Sequence, residues 1–297
     1  MAEEGYGVDT QKYRALLKVV DCGSITEAAA QLGYTQSAVS RMVADLEARW
    51  GVTLLHRGKG GAYPTADART ILPAIRAVCV AEESLQTQVD AVKGLETGTL
   101  RIATFSSVAT HWLPPVVKSL REDHPGITCE LQIGDYGQIA EWVEEGRADC
   151  GFVGTKPPYT LNAWSVGRDQ FMAVLPQGHP LADLPSFPVE AFADEPFLQL
   201  ETGVEHVVAR INAETGANIT PALSTFDDYA IMAMVESGMG LAILSSLIMN
   251  RVDYQVVALP LSIPMYREIA LVTRRGPEST GMRAFRQHLD AFLARQG

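Results

Sequence analysis

The segment that most constrains this chain runs from Ser24 to Trp50, SITEAAAQLGYTQSAVSRMVADLEARW. Just upstream, Tyr13, Leu16, Leu17 and Val20 recur at the spacing of one helix face. Ser24 and Glu27 have the Ser-x-x-Glu spacing of a capping box and start a second helix. Its apolar face is Ile25, Ala28, Ala29 and Leu32, and the small alanines let a neighbouring helix approach closely. Gly33 supplies the helix stop. Thr35 then caps a third helix that turns Val39, Val43, Leu46 and Trp50 inward, with Gln36, Ser37, Ser40 and Arg41 on the outer side of its N-terminal end. Two short helices, a tight turn and a polar outer face form a helix-turn-helix, whose second helix enters the DNA major groove by its N-terminal residues. Gln pairs with adenine and Arg with guanine, while hydroxyls and helix N-terminal amides suit phosphates. The same periodicity also fits the corner of an ordinary helical bundle with a solvated face.

The next stretch, GVTLLHRGKGGAYPT, favours the first reading. Extended runs at Thr53–Leu55 and Ala62–Tyr63 flank a basic, glycine-rich tip of Arg57, Gly58, Lys59, Gly60 and Gly61. A hairpin with cations at its tip is suited to lie on a phosphate backbone, although Gly-Lys-Gly-Gly is also good turn chemistry. The P-loop spacing is absent.

Residues 10–70 resemble the N-terminal winged helix of LysR-type transcriptional regulators. The resemblance rests on Gly23-Ser24 with Ala28-Ala29, on Thr35-Gln36-Ser37-Ala38-Val39-Ser40-Arg41, on Leu46-Glu47, on Gly51-Val52 with Leu54, and on Arg57 and Thr65. It departs at Leu55-His56, where the family usually has an aromatic before the wing arginine, and at Ala68, where it usually has glycine. Motif and resemblance together imply a DNA-facing set of Ser24, Thr35, Gln36, Ser37, Ser40, Arg41, Arg57, Lys59 and Thr65.

A long helix is predicted from Ala66 to Lys93. Ile71, Ile75, Val78, Glu82, Leu85, Val89 and Val92 alternate steps of four and three, a coiled-coil seam with one polar interruption. Pro73 is expected to bend or break it near its start. The alternative is a helix packed only on its own domain. In LysR-like proteins the corresponding helix pairs two chains, and Gly94, Thr97 and Gly98 then read as a hinge.

Charge follows the same division. The net charge of −11 would argue against nucleic acid if it were spread evenly. Residues 1–93, however, carry ten Lys/Arg against eleven Asp/Glu, and residues 94–297 fourteen against twenty-four. The acidity lies in the body, and a nearly neutral head implies specificity from base contacts and dimer spacing as well as from charge. The N-terminus MAEEGYG lacks a basic and an apolar signal region, and no run is long enough to span a membrane, so a cytoplasmic location is expected.

From about residue 98 strands and helices alternate. LRIAT (100–104), a helix over 113–122, ITCELQI (127–133), a helix over 139–145 and DCGFV (149–153) read as βαβαβ with a parallel sheet. A second series follows at 171–175, 197–200, 204–215, 220–225, 228–237 and 241–244, then a strand over 268–273 and a closing helix over 281–294. The expected fold class is therefore α/β. The segments Pro176, His179, Pro180, Leu181 and Gly238-Met239-Gly240-Leu241-Ala242 match the effector domain of the same family, with Ser245 where it often has proline. The resemblance implies a two-lobed body similar to periplasmic binding proteins. The expected domains are a winged helix-turn-helix over 1–65, a linker (dimerisation) helix over 66–93 and an effector-binding domain over 94–297, with lobe I at about 98–163 and 266–297 and lobe II at about 164–265.

Open α/β sheets bind ligands at the carboxyl ends of strands. That rule selects Phe105, Ser106 and Ser107, Gly134 and Asp135, Gly154 and Thr155, Glu201, Thr202 and Gly203, and Phe226 and Asp227. The effector-binding set is Thr104, Ser106, Ser107, Gly134, Gly154, Thr155, Glu201, Thr202 and Phe226. Each Ser or Thr alone reads as a helix cap, whereas together they converge on a site. Amides and hydroxyls favour an anion, a carboxylate in many family members, while Glu201 favours a ligand that also carries an amine or hydroxyl. Arg101 and Arg147 read as structural.

Enzyme signatures are missing: no Gly-x-Ser-x-Gly, His-Glu-x-x-His or Cys-x-x-Cys occurs. No catalytic residue, metal site or cofactor is expected. Cys129 and Cys150 are the candidates for a redox pair, but they fall in strands separated by a third, which is poor disulfide geometry. The expected partners are double-stranded DNA, a small-molecule effector that can bear a carboxylate, a second copy in a homodimer or homotetramer, and RNA polymerase, with no membrane. The rival from another class is a solute-binding protein without DNA function.

Overall fold

The computed structural model describes residues 9–58, 60–92, 98–154, 156–201, 205–250 and 253–296. The chain divides near residue 95 into two compact units.

The first unit holds α1 (Thr10–Cys22), α2 (Ile25–Leu32) and α3 (Gln36–Trp50), then the hairpin β1 (Leu55–Gly58) and β2 (Gly61–Pro64), then α4 (Ala66–Val92). Capping follows the sequence. The hydroxyl of Ser24 accepts from the Glu27 amide at 3.3 Å, and that of Thr35 from the Ala38 amide at 3.2 Å. Gly33 ends α2 at φ 71°, the left-handed conformation that glycine adopts without Cβ strain. Leu16, Ala28, Val39, Val43, Leu46 and Leu54 are fully buried and make the core where the three helices meet. The hairpin begins at Leu55 rather than Thr53, because the amides of Leu54 and Leu55 are held at 2.8 and 3.2 Å by the Glu47 carboxylate of α3. Arg57 lies within β1, opposite Ala62, and not at the tip. The Ala62 amide donates to the Gly23 carbonyl at 2.8 Å, tying the hairpin to the α1–α2 turn. At Gly61 a Cβ would stand 2.5 Å from that carbonyl, so glycine is required there.

α4 is continuous through Pro73, against the expected break. Leu72, Ile75 and Cys79 are buried in the head core, so this half of the helix packs on its own unit. Farther along, Glu82 accepts from Thr10 at 2.8 Å and pairs with Arg14 at 3.1 Å, while Leu85 and Val89 are exposed. The expected seam residue Val92, by its side chain, and the expected hinge residues Gly94 and Thr97 lie outside the described residues, as does Lys93.

The second unit is α/β. In order it contains β3 (Gly98–Thr104), α5 (Ser106–His111), α6 (Leu113–Asp123), β4 (Ile127–Ile133), α7 (Tyr136–Glu144), β5 (Cys150–Val153) and β6 (Leu161–Pro176). A 3-10 turn (Val189–Asp194), β7 (Phe197–Leu200), α8 (Glu205–Thr215), β8 (Pro221–Thr225), α9 (Asp228–Glu236), β9 (Leu241–Ser245), β10 (Val256–Pro260), β11 (Tyr266–Arg274) and α10 (Thr280–Leu293) follow. The strand path is β4-β3-β5-β11-β6-β9-β7-β8, with β10 on β6. β3 pairs parallel with β4 and β5, and β7 parallel with β8 and β9, so each end of the path is a parallel α/β layer.

Between those layers run β6 and β11, paired antiparallel. β6 serves two cores, and β11 serves one of them while the residue just before it serves the other. Leu161 of β6 and Ile269, Leu271 and Val272 of β11 belong to one, with Phe152, Val116 and Phe285. Phe171, Ala173, Val174 and Leu175 of β6 and Met265, just before β11, belong to the other, with Phe197, Ile231 and Ile243. Two lobes therefore share two crossing strands. The sequence reading found only the apolar end of β6 and missed β10. The half from residue 161 to 170 (LNAWSVGRDQ) is too polar to read as a strand without its partner β11. Cys129 and Cys150 lie on β4 and β5, on either side of β3, and both are free thiols. Among the described residues no helix is long and apolar enough to cross a membrane.

Candidate DNA face and effector cleft

The outer face of α3 follows from its register. With Val39, Val43 and Leu46 buried, Gln36, Ser37 and Arg41 stand exposed and Ser40 half-exposed. Thr35 spends its hydroxyl as the α3 cap, 3.1 Å from that of Ser37. Arg41 makes no ion pair among the described residues and is exposed. Arg57 reaches back from β1 to Ser40 at 3.1 Å and to Glu47 at 3.3 Å, so the hairpin brings its guanidinium to the edge of the same face. Ser24 caps α2. Thr65 is buried: its hydroxyl donates to the Thr53 carbonyl at 2.8 Å and accepts from the Ala68 amide at 3.1 Å, so it anchors α4 and has no free hydrogen for a phosphate. Lys59 lies outside the described residues.

In the second unit the ends of β3, β4, β7 and β8 converge on a hollow of about 300 Å³. Ser106, Ser107, Gly134 and Phe226 line it as expected, with Phe105, Ile133, Asp135 and Tyr136 beside them. Phe226 and Ile133 are exposed and give it an apolar wall. Three expectations change. Thr104 is wholly buried and donates to the Phe105 carbonyl, so it supports the turn from behind. Glu201 is hydrogen-bonded by the Ser224 hydroxyl of β8. Gly154 borders a neighbouring hollow of about 720 Å³, and a Cβ there would run into the Tyr136 hydroxyl. Thr155, Thr202 and Gly203 lie outside the described residues.

Two residues that sequence reasoning passed over dominate the hollow. Arg267 of β11 sits opposite Asp169 of β6 and is 7% exposed. Its guanidinium contacts Asp169 at 2.9 and 2.5 Å, Ser107 at 2.7 Å, Ser245 at 2.8 Å and the Tyr136 hydroxyl at 2.8 Å, and lies 4.7 Å from the centre of the Phe105 ring. Asp169 also accepts from Ser246 and from the Leu247 amide. Burial works against the Arg267 charge, but Tyr136 and Asp169 more than offset it and hold its pKa above the ordinary value. A charge taken out of water needs this degree of pairing.

The second is Asp228, 9% exposed at the start of α9. Its neighbour Asp227 does the capping, accepting from the amides of Tyr229 and Ala230 at 2.9 and 3.3 Å. Asp228 is thereby left to line the hollow. Burial raises its pKa; the Ser106 hydroxyl, bonded across the cleft, opposes that rise. Tyr229 also crosses the cleft, donating to Thr110 at 3.3 Å. The available signals were two adjacent aspartates at a helix start, and single charges, Asp169 and Arg267, beside apolar strand runs. Among the described residues no group of three or more His, Cys, Asp or Glu is placed to hold a metal ion.

Residues 10–69 match the family model for the bacterial regulatory helix-turn-helix protein of the lysR family, and residues 93–294 match the LysR substrate binding domain. The chain belongs to the LysR family. It is a DNA-binding transcriptional regulator with an effector-binding domain. Among its relatives, the probable HTH-type transcriptional regulator LrrA of Synechococcus elongatus is 33% identical over 86% of each chain. The HTH-type transcriptional regulator CbbR of Rhizobium meliloti is 28% identical, covering 97% of this chain and 94% of its own. In fold, this LysR-family regulator is similar to CbnR, with a TM-score of 0.69 at 16% identity over 96% of this chain and 99% of CbnR.

Proposed function

We propose that the N-terminal end of α3 reads base edges in the major groove through Gln36, Ser37, Ser40 and Arg41, while Arg57 and the hairpin hold phosphate backbone. A small molecule held between the lobes changes their relative orientation, and through the oligomer the spacing or bend of the bound DNA. The observation that carries this reading is the exposed polar outer face of α3, whose Arg41 makes no ion pair among the described residues, on a head joined by a long helix to a two-lobed body with a lined cleft. CbnR, of the same fold, has been solved with its target DNA, which supports carrying this mode of binding over.

Within this reading the DNA-binding domain spans 1–65, the linker helix 66–93 and the effector domain 94–297. The protein acts in the cytoplasm as a homodimer or homotetramer, contacts RNA polymerase at its promoters, and releases its ligand chemically unchanged. Buried Thr65 and Thr104 are placed behind the surfaces and not on them.

The test is binding of the purified protein to DNA flanking its own gene, at fixed salt, with Ser37→Ala plus Arg41→Ala alongside. Loss of one bidentate base contact weakens specific binding by about 1–3 kcal/mol. Saturable binding that drops by at least this much in a folded double variant is the expected result. Equal binding by both proteins to all selected sequences refutes α3 as the reader.

A further inference from the structure

Charge in the cleft is distributed in a way that bears on what the effector is. Arg267 is the one cation lining the 300 Å³ hollow among the described residues, and its charge is already matched by Asp169 through two contacts, at 2.9 and 2.5 Å. Its remaining donors go to Ser107, Ser245 and Tyr136. An incoming carboxylate would have to compete with Asp169 for a guanidinium that is 7% exposed.

Two carboxyl groups, Asp228 and Asp135, line the same hollow and make no ion pair among the described residues, with Arg267 acting on Asp228 only at longer range. Asp228 is 9% exposed and is held by the hydroxyl of Ser106 alone among side chains. Asp135 accepts from the Gln138 amide at 2.8 Å, and the Gln138 side chain accepts in return from the Asp135 amide at 3.1 Å, which fixes its orientation. Residues 155 and 202–204, the undescribed ones near these strand ends in sequence, are Thr, Thr, Gly and Val, which bring no charge. Lys156 and His206 border the other, 720 Å³ hollow, where Glu268 stands beside them.

We propose that the effector of this regulator is an amine: a protonated nitrogen that pairs with Asp228, on an apolar body that rests against Phe226 and Ile133. The proposal rests on the cleft being the effector site. Asp228 is a buried acid whose nearest cation, Arg267, acts at longer range and is already matched by Asp169, an arrangement that a directly bonded ammonium group improves. Burial raises the Asp228 pKa, opposed by the Ser106 hydroxyl and, at longer range, by Arg267.

The experiment is calorimetric titration of the full-length protein with benzylamine, benzyl alcohol and benzoate, which share a ring and differ in charge. Wild type is compared with Asp228→Asn and with Ile133→Trp, which fills the apolar wall. A charge-assisted bond to a buried carboxylate corresponds to about tenfold or more in affinity. Benzylamine is expected to bind at least that much more tightly than the other two, to lose the advantage in Asp228→Asn, and to be excluded by Ile133→Trp. Benzoate binding as tightly as benzylamine, benzylamine affinity unchanged in Asp228→Asn, or no benzylamine binding overturns the amine class. If benzoate or benzyl alcohol binds and Ile133→Trp excludes it, the cleft stands as effector site and only the amine class falls. Binding that survives Ile133→Trp removes the ligand from the cleft, and the proposal goes with it.

Discussion

Asp228 and Arg267 show how one buried charge is settled and another left open within a single cleft. Arg267 has a carboxylate, two serines and a tyrosine around it. Asp228 has one serine hydroxyl and its own backbone amide in its favour, with Arg267 acting at longer range and Asp227 opposing. The consequence for stability has a definite sign. A carboxyl whose folded pKa is raised above its ordinary 3.8 keeps its proton in the native state after the unfolded chain has lost it. Stability therefore falls as pH rises above the unfolded value, and the loss is complete once the folded pKa is passed. Asn cannot ionise, so Asp228→Asn is expected to gain on wild type over that window and to hold a constant lead above it. Urea unfolding of the ligand-free proteins in steps upward from pH 4 measures this. A difference between the two that does not vary with pH would mean that Asp228 is solvated enough to ionise freely. The adjacent Asp227 could not take this role, because its carboxylate is bonded to two amides of the helix start.

At the scale of elements, the hairpin depends on one glutamate of the helix beside it. Glu47 accepts from the amides of Leu54 and Leu55 and pairs with Arg57, so a single side chain sets where β1 begins and where its arginine points. Replacing it with Ala leaves two half-buried amides unpaired, at a cost of about 1–3 kcal/mol. Glu47→Ala is expected to destabilise the head by that amount in thermal unfolding and to weaken DNA binding by releasing Arg57. Full stability in the variant would show that water replaces the carboxylate at both amides. The same contact explains a limit of sequence reading. The helix caps Ser24, Thr35 and Gly33 were legible because each acts on residues within four positions of itself. The start of β1 depends on a residue seven and eight positions back, and the pairing of Asp169 with Arg267 spans 98 positions. Strand ends pointed to Ser106, Gly134 and Phe226, which line the hollow, since topology alone places them there. They could not indicate Asp228, whose availability follows from Asp227 taking the cap.

For the whole molecule, the question is what a nearly neutral head gains from a long helix. Residues 1–93 have no excess of cations, so backbone attraction alone gives the head little hold on DNA. In the proposed dimer, two heads linked through their α4 helices would gain from effective concentration, because once one is bound the second binding event is intramolecular. The inner half of α4 is occupied: Leu72, Ile75 and Cys79 are in the head core and Glu82 is bonded to α1. Leu85 and Val89, one turn apart, are left exposed at 62% and 37% and form the stripe available to a second chain. Changing both to Glu keeps helix propensity and removes the apolar stripe. Leu85→Glu with Val89→Glu is expected to lower the oligomeric state in sedimentation. It is also expected to weaken binding to a two-half-site operator by about 100-fold or more, with binding to a single half-site unchanged. Equal losses on both DNAs would mean damage to the head itself. Unchanged sedimentation would place the pairing surface elsewhere, and the affinity of this head would then have to come from its base contacts alone.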